Sequence, residues 1–483
     1  MISNKRMSSN LNTDQKRDLS QIILLLIFSI VFVYFSPYII NQLYFLVLLP
    51  FIWKSKKDYF WIGFIFILIT SPGNFFSSNF TTQTIAIYNI TGGISISFLD
   101  LVTILLFIKS LNKVNIRTSL LFPELLIAIL IYFIIRLFES NLHTENNFYL
   151  IPYLRIMLTL TCFYSISKLM TTIDNYINFV IVLFPGIVLV LASQIYQLFT
   201  STYLIGLFSD VIFADKTTLM DRLAEFTPEI LLLYLFLSTA LIFIFNKSSF
   251  LIGISIVIFS FFISATRTWI ISLLVLVLYF VFKYFQQNKK RLLSKYLLLF
   301  FILVFLLIQS ATMMKNFNSS YQRALTSTYI LENREDEDAS MVKRMDRKME
   351  VKRIIAVNPI FGTGFGKEFN QNLVGFTGDS HTGYLNQIAN SGIIGLILTL
   401  APIILIMIKL YRTSIMYAGI RIRYSLIILV ISFGVLIFVN FLSYQTIGYT
   451  LRLNQYFFLA LLYNFASLLI IYPENILRKT NLI

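Results

Sequence analysis

The sequence is short of charge. Asp, Glu, Lys and Arg together make up 13% of 483 residues, where an average soluble protein has roughly 25%. With 57% hydrophobic and 16% aromatic residues, too few polar side chains remain to cover a water-exposed surface, which excludes an ordinary soluble domain. Cysteine is nearly absent: Cys162 stands alone, so an internal disulfide framework is impossible. Histidine is equally scarce, with His143 in a polar loop, where it reads as solvated, and His381 where polar loop gives way to apolar run. Acidic residues are outnumbered, giving a formal net charge of +16. In a soluble domain such an excess would point to nucleic acid; here the positive-inside rule accounts for it, and no nucleic-acid partner is expected. The first twenty residues lack an apolar core followed by a small-residue cleavage site, so no removable signal peptide is expected.

What the chain does have is apolar runs, many approaching the ~20 residues that a bilayer-spanning helix needs. Spans are expected near 21–39, 40–53, 59–72, 96–109, 119–138, 149–168, 176–199, 229–246, 249–266, 268–285, 295–312, 383–410, 421–443 and 453–472. The fold class is therefore an all-α polytopic membrane protein with about 12–14 transmembrane helices and one large extracytoplasmic helical loop. The chain divides into a cytoplasmic tail (1–20), an N-terminal bundle (21–199), a central membrane segment (200–312), the outer loop (313–380), a C-terminal membrane segment (381–472) and a second cytoplasmic tail (473–483). Lys and Arg in the short connections collect on one side, among them Lys54, Lys56, Lys57, Lys109, Lys113, Lys168, Lys409 and Arg412. Both termini are thus expected to be cytoplasmic, leaving the 313–380 loop outside. That orientation brings Arg222, Arg267, Arg344 and His381, from four separate parts of the chain, to the outer face.

The outer loop splits by composition. Residues 331–338 (LENREDED) are acidic, whereas 343–353 (KRMDRKMEVKR) are basic, relieved only by Asp346 and Glu350. On a helix starting near Ser340, Val342, Met345 and Met349 share one narrow arc, and Lys343, Arg344, Arg347 and Lys348 share another. Such a helix suits the outer interface, with its methionines in lipid or against the bundle. Proline at 359 ends it after Asn358. The acidic triplet 336–338 and the GTGFG run at 362–366 resemble nucleotide-sugar and dinucleotide motifs only superficially, because no βαβ pattern surrounds either. Asp379 and Ser380 are suitable helix caps, and the chain from Tyr384 reads as one continuous helix. His381 then sits in or before its first turn, where the helix dipole disfavours the imidazolium and leaves a ring able to take a proton from a hydroxyl. Gly392 and Gly395, three apart, permit close approach of a neighbouring backbone. Asp100, Glu124 and Glu229 fall within or at the ends of spans and read as bundle-facing hydrogen-bond partners.

These residues carry a resemblance. His381-Thr382, nine residues, Gly392, two residues, Gly395 resembles the histidine signature of the O-antigen ligase and O-antigen polymerase superfamily, with Thr382 where Asn, Ser or Gln is usual. Ser264-Ala265-Thr266-Arg267 before an apolar run resembles the family's serine–arginine segment. Arg344 followed by Pro359-Ile360-Phe361-Gly362-Thr363-Gly364 resembles its arginine helix and Pro-x-x-Gly-x-Gly turn, with Lys348 where a tryptophan is often found. Asp221-Arg222-Leu223 resembles a further outer arginine. The likeness covers roughly residues 200–440.

The resemblance implies a multi-pass enzyme of the bacterial cytoplasmic (inner) membrane, working in cell-surface polysaccharide or lipopolysaccharide biosynthesis. It would move a glycan from undecaprenyl diphosphate to a glycan or lipid-linked acceptor on the outer face, with inversion, without a metal and without a cofactor. Its catalytic residues would be His381 and Arg344, with Arg267 and Arg222 binding the diphosphate. Guanidinium groups suit that role because they pair with phosphate oxygens in a planar fork and stabilise charge on the leaving group. Two other classes fit a polytopic chain. A transporter or flippase for a lipid-linked or anionic substrate would use Arg136, Arg155, Asp100 and Glu124 along a path, although no internal repeat of the transporter kind is visible. A scaffold for an export assembly would need none of the arginines.

Overall fold

The computed structural model describes residues 12–70, 87–89, 95–113, 116, 118–142, 150–200, 228–245, 249–263, 349–363, 383–417, 420–437 and 453–471. In chain order these form α1 (Thr13–Phe35), α2 (Tyr38–Lys54), α3 (Asp58–Thr70), the strands β1 (Ile87–Asn89) and β2 (Ser95–Ser97), α4 (Phe98–Leu111), α5 (Pro123–Leu142), α6 (Leu150–Leu169) and α7 (Ile173–Thr200). Then come α8 (Pro228–Phe245), α9 (Ser249–Ile263), α10 over residues 349–357, α11 (Gly383–Met416), α12 (Ile420–Val435) and α13 (Leu453–Ile471). Each expected span that falls on described residues is a helix; 268–285 and 295–312 lie outside them, as do residues 1–11 and 472–483. The antiparallel hairpin, pairing Ile87 with Ser97, was not expected from the sequence.

Helices that are apolar on every side are buried on every side. Phe64 to Leu68 of α3, Ile230 to Leu233 of α8, and Leu461, Leu462, Phe465 and Leu469 of α13 are wholly enclosed. Around α13 stand α6, α8 and α11, while α7 binds α1, α3, α8 and α9. Peripheral helices turn an apolar stripe outward instead. On α5, Ile127, Ile131, Ile135 and Phe138 are exposed, while Ile129, Phe133 and Arg136 on the opposite side are buried. Exposed Ile23, Leu24, Ile27, Phe28 and Val31 do the same on α1. Outward-facing stripes of this kind are stable against lipid, not water. The architecture is that of an all-α polytopic membrane protein. Among the described residues, two helices, spanning Ile173–Tyr196 and Tyr384–Met416, are by length and composition long and apolar enough to cross a bilayer.

One end of the bundle gathers the basic side chains. Lys57 meets Asp18, which also accepts from the Tyr59 hydroxyl at 2.6 Å. Lys109 donates to the Ile52 and Ser55 carbonyls at 2.8 and 2.7 Å, capping α2, and lies 2.7 Å from an Asp58 oxygen. Lys113 contacts the other oxygen of Asp58, and Lys168 closes on the Ile116 carbonyl. These are the residues that the charge rule groups on one membrane side. The lysines cap helix ends and neutralise buried carboxylates, so their clustering also has a packing reason.

The sequence expectation fails in one place that matters. From Tyr384 onward the chain is not one continuous helix: Gly392 has φ 68° and ψ −177°, and α11 is two helices in series. This backbone region is essentially reserved for glycine. The first half, 383–391, precedes the break, and the longer second half carries the apolar run.

Candidate functional site: a helix break sealed by a turn

A broken helix exposes backbone groups that the next turn would have satisfied. Here a distant segment supplies the partners. Residues 358–363 follow α10, and Asn358 shapes them: its carbonyl accepts from Gly362 N–H at 2.9 Å, its side chain from Phe361 N–H at 3.3 Å. The turn then docks in the gap. Ile393 N–H donates to Pro359 O at 3.0 Å, and Ile394 N–H to Ile360 O at 3.3 Å. The Ala389 carbonyl accepts from both Thr363 N–H, at 2.8 Å, and Thr363 Oγ1, at 3.1 Å. In an unbroken helix Ile393 N–H would have bonded Ala389 O, so the turn replaces the missing rung from both sides.

Such close contact between two backbones needs glycine at both surfaces. A Cβ on Gly362, whose φ is +74°, would stand 2.5 Å from Gly392 N, and one on Gly392 would overlap the Ile360 carbonyl. The expectation that Gly392 admits a neighbouring backbone is met; the neighbour is the Pro-x-x-Gly turn itself. At Gly395 a Cβ would overlap the Ser391 side chain first, and meet the Tyr132 ring of α5 at 3.1 Å.

Two side chains of α5 complete the seal. The Tyr132 hydroxyl donates to Ser391 O at 2.5 Å. Arg136, buried, donates from Nη2 to Gly362 O at 2.9 Å and from Nη1 to Glu139. Sequence reasoning assigned neither role, although a lone arginine in an apolar run (IIRLF) invites a functional reading. Asn390-Ser391-Gly392 was likewise a legible helix-stop signal.

α10 lies against the first half of α11. Val351 and Ile354 are buried with Ala389, and Ile355 and Leu385 pack around them. Glu350 is buried too and holds exposed Arg353 in a two-pronged pair at 2.9 and 2.8 Å, which raises the arginine's pKa. Met349 is exposed, on the side away from the Val351 and Ile354 pair that fits Ala389, which leaves the lipid-facing alternative for that methionine; Val342 and Met345 lie outside the described residues.

The half-helix itself carries a buried polar series: Asn386, Gln387, Asn390 and Ser391. Gln387 Nε2 donates to Ser391 Oγ at 2.8 Å, and Tyr384 hydroxyl to Ile437 O at 2.8 Å. Among the described residues, Gln387 Oε1 and both amide atoms of Asn390 have no hydrogen-bond partner. Groups of this kind ordinarily bind a water or a ligand.

His381, Arg344, Arg267 and Arg222 all lie outside the described residues. Their described sequence neighbours are placed. α11 begins two residues after His381, described α10 five after Arg344, and α8 six after Arg222; α9 ends four before Arg267. The elements concerned are contiguous, with α9 on α8, α8 on α12 and α12 on α11. Ser425 Oγ bonding to Ala240 O, together with Tyr384 bonding to Ile437 O, sets the start of α8, the end of α12 and the start of α11 at the end opposite the lysine cluster. The intramembrane carboxylates are mixed. Glu229 is buried as expected, but its Oε2 makes no hydrogen bond among the described residues; Asp100 accepts from Ser97 N–H at 2.9 Å as a helix cap. Glu124, expected to face the bundle, is instead exposed at the start of α5, on the side away from Leu126, which packs on the core. Asp100 and Glu124 sit in the first turns of α4 and α5. Arg155 side-chain surroundings and His143 lie outside the described residues.

No curated protein matches this chain. Residues 250–400 match the family model described as O-antigen ligase, a stretch that holds the segment after α9, the docked turn and the broken helix through Gly395. The match covers less than half of the chain, and over those residues the chain is similar to the O-antigen ligase family.

Proposed function

We propose that this protein transfers a glycan from undecaprenyl diphosphate to an acceptor on the outer face of the cytoplasmic membrane, with inversion and without a metal. The observation that carries the reading is the O-antigen ligase match over residues 250–400. The seating of α10 and its turn on the half-helix that follows His381 adds to it, because it draws the flanks of Arg344 and His381 together.

In this mechanism the polyprenyl tail stays in lipid while the diphosphate lies at the outer end of the bundle. Breaking the glycosidic C–O bond leaves negative charge on that diphosphate. Arg344 and Arg267 stabilise it as fixed guanidinium forks, and Arg222 holds the donor. His381 takes the proton from the attacking hydroxyl of the acceptor. Ligase and polymerase share this donor chemistry and differ in acceptor: lipid A core, protein or other terminal acceptor for the first, another lipid-linked repeat for the second.

The decisive experiment deletes the gene and examines the lipid-linked glycans that accumulate. Single repeats on the carrier identify a polymerase, and long chains identify a ligase. An unchanged pool would refute both. Complementation with His381→Ala should restore normal amounts of membrane protein yet lower transfer by roughly 10²–10⁴-fold, the usual worth of a general base. Near wild-type transfer by that variant would remove His381 from the mechanism.

A further inference from the structure

We infer that Arg136, with Tyr132 beside it, is a positioning residue for glycan transfer: it clamps the 358–363 turn into the break of α11. This deepens the proposed function and rests on it.

Both residues belong to α5, in the N-terminal half of the chain, outside the matched stretch 250–400. They lie one helical turn apart on the same face, opposite the lipid-facing stripe of Ile127, Ile131 and Ile135. Each reaches a backbone carbonyl at the junction, one on either side of it. Tyr132 takes Ser391 O, the last carbonyl before Gly392, and Arg136 takes Gly362 O in the turn. One rigid helix therefore holds both sides of the junction at once. Glu139 fixes the other arm of the guanidinium, so the side chain is committed to this geometry. A buried cation on an apolar helix is costly unless it is paired and hydrogen-bonded, and both conditions are met here.

The consequence for function follows from the chain path. α10 runs straight into the turn, and the half-helix 383–391 runs straight into the break. The mutual placement of Arg344, upstream of the first, and His381, upstream of the second, depends on that junction. Misplacement of catalytic groups by about 1 Å costs on the order of 10²-fold in rate. Arg136 touches none of the reacting atoms and acts through the register of the two elements.

The test uses full-length protein in membranes of the deletion strain, with the lipid-linked glycan extracted from that strain as donor. Arg136→Met should lower kcat by roughly 10²-fold while changing KM little. It should also speed amide exchange in peptides covering 358–363 and 383–391, but not in those covering α13. Arg136→Lys, which can still donate to Gly362 O, should recover part of the rate, and Tyr132→Phe should show a smaller loss of the same kind. Wild-type kcat in Arg136→Met would overturn the inference. So would a rate loss explained by lost folded protein and not relieved in Arg136→Lys. No transfer by the wild type would refute the glycan-transfer reading, while the exchange data would still report whether Arg136 seats the turn.

Discussion

Gly392 is the residue on which the junction turns. Its φ of 68° and ψ of −177° lie where only glycine rests without strain, and the Ile360 carbonyl occupies the space where a side chain would begin. Gly392→Ala therefore meets two penalties. Backbone strain of order 1–3 kcal/mol adds to eviction of the turn, so the purified protein should melt earlier and lose exchange protection at Ile393 and Ile394. Unchanged protection there would show that the turn does not depend on Gly392. Thr363→Val is the contrasting change. It removes the hydroxyl bond to Ala389 O but keeps the N–H bond to the same oxygen, and should cost about 0.5–1.5 kcal/mol. A Thr363→Val loss as large as that of Gly392→Ala would mean that the hydroxyl, and not the backbone, holds the turn.

Among the elements, α10 is the informative one. It is held by Val351 and Ile354 against Ala389, with burial worth roughly 1.5–3 kcal/mol for each large side chain. Ile354→Asp should release α10 from the bundle, read as protease cleavage within 349–357, while Met349→Asp, on the exposed side, should not. Equal cleavage in both would mean that Ile354 does not hold α10 in place. The same helix shows where sequence reading stops. The helix and its end before Pro359 were legible, because periodic apolar spacing and a proline are local signals. Which face docks was not, since it depends on the shape of Ala389 and Leu385 thirty-odd residues away. The break escaped for a related reason: the apolar run beyond Gly392 suits a spanning helix so well that the Asn-Ser-Gly stop before it was overridden. The turn's bonds to α11 run between backbone atoms, which carry no side-chain signature at all.

For the molecule as a whole, the expected spans followed from hydropathy alone, and the gathering of lysines at one end agrees with the charge rule that orients them. Lys109 there serves two carbonyls and Asp58 together. Lys109→Met strands a buried carboxylate whose remaining partner, Lys113, is more exposed, and breaking a buried pair typically costs about 3–5 kcal/mol. A clear fall in melting temperature is expected; none would mean that Lys113 alone suffices. Orientation has a direct test, because the native thiol of Cys162 is buried. In spheroplasts an impermeant maleimide should label Val357→Cys at once, and Lys56→Cys only after permeabilisation, both positions being exposed. The opposite pattern would reverse the assigned sidedness.

The stretch that matches the family begins after α5, and so leaves out part of the unit that must hold its shape. Grafting residues 250–400 from a relative would bring a new Pro-x-x-Gly segment and a new glycine hinge, yet leave behind the tyrosine and arginine of α5 that fasten them. Chimeras cut at that border should insert and accumulate but stay inert until α5 travels with the graft.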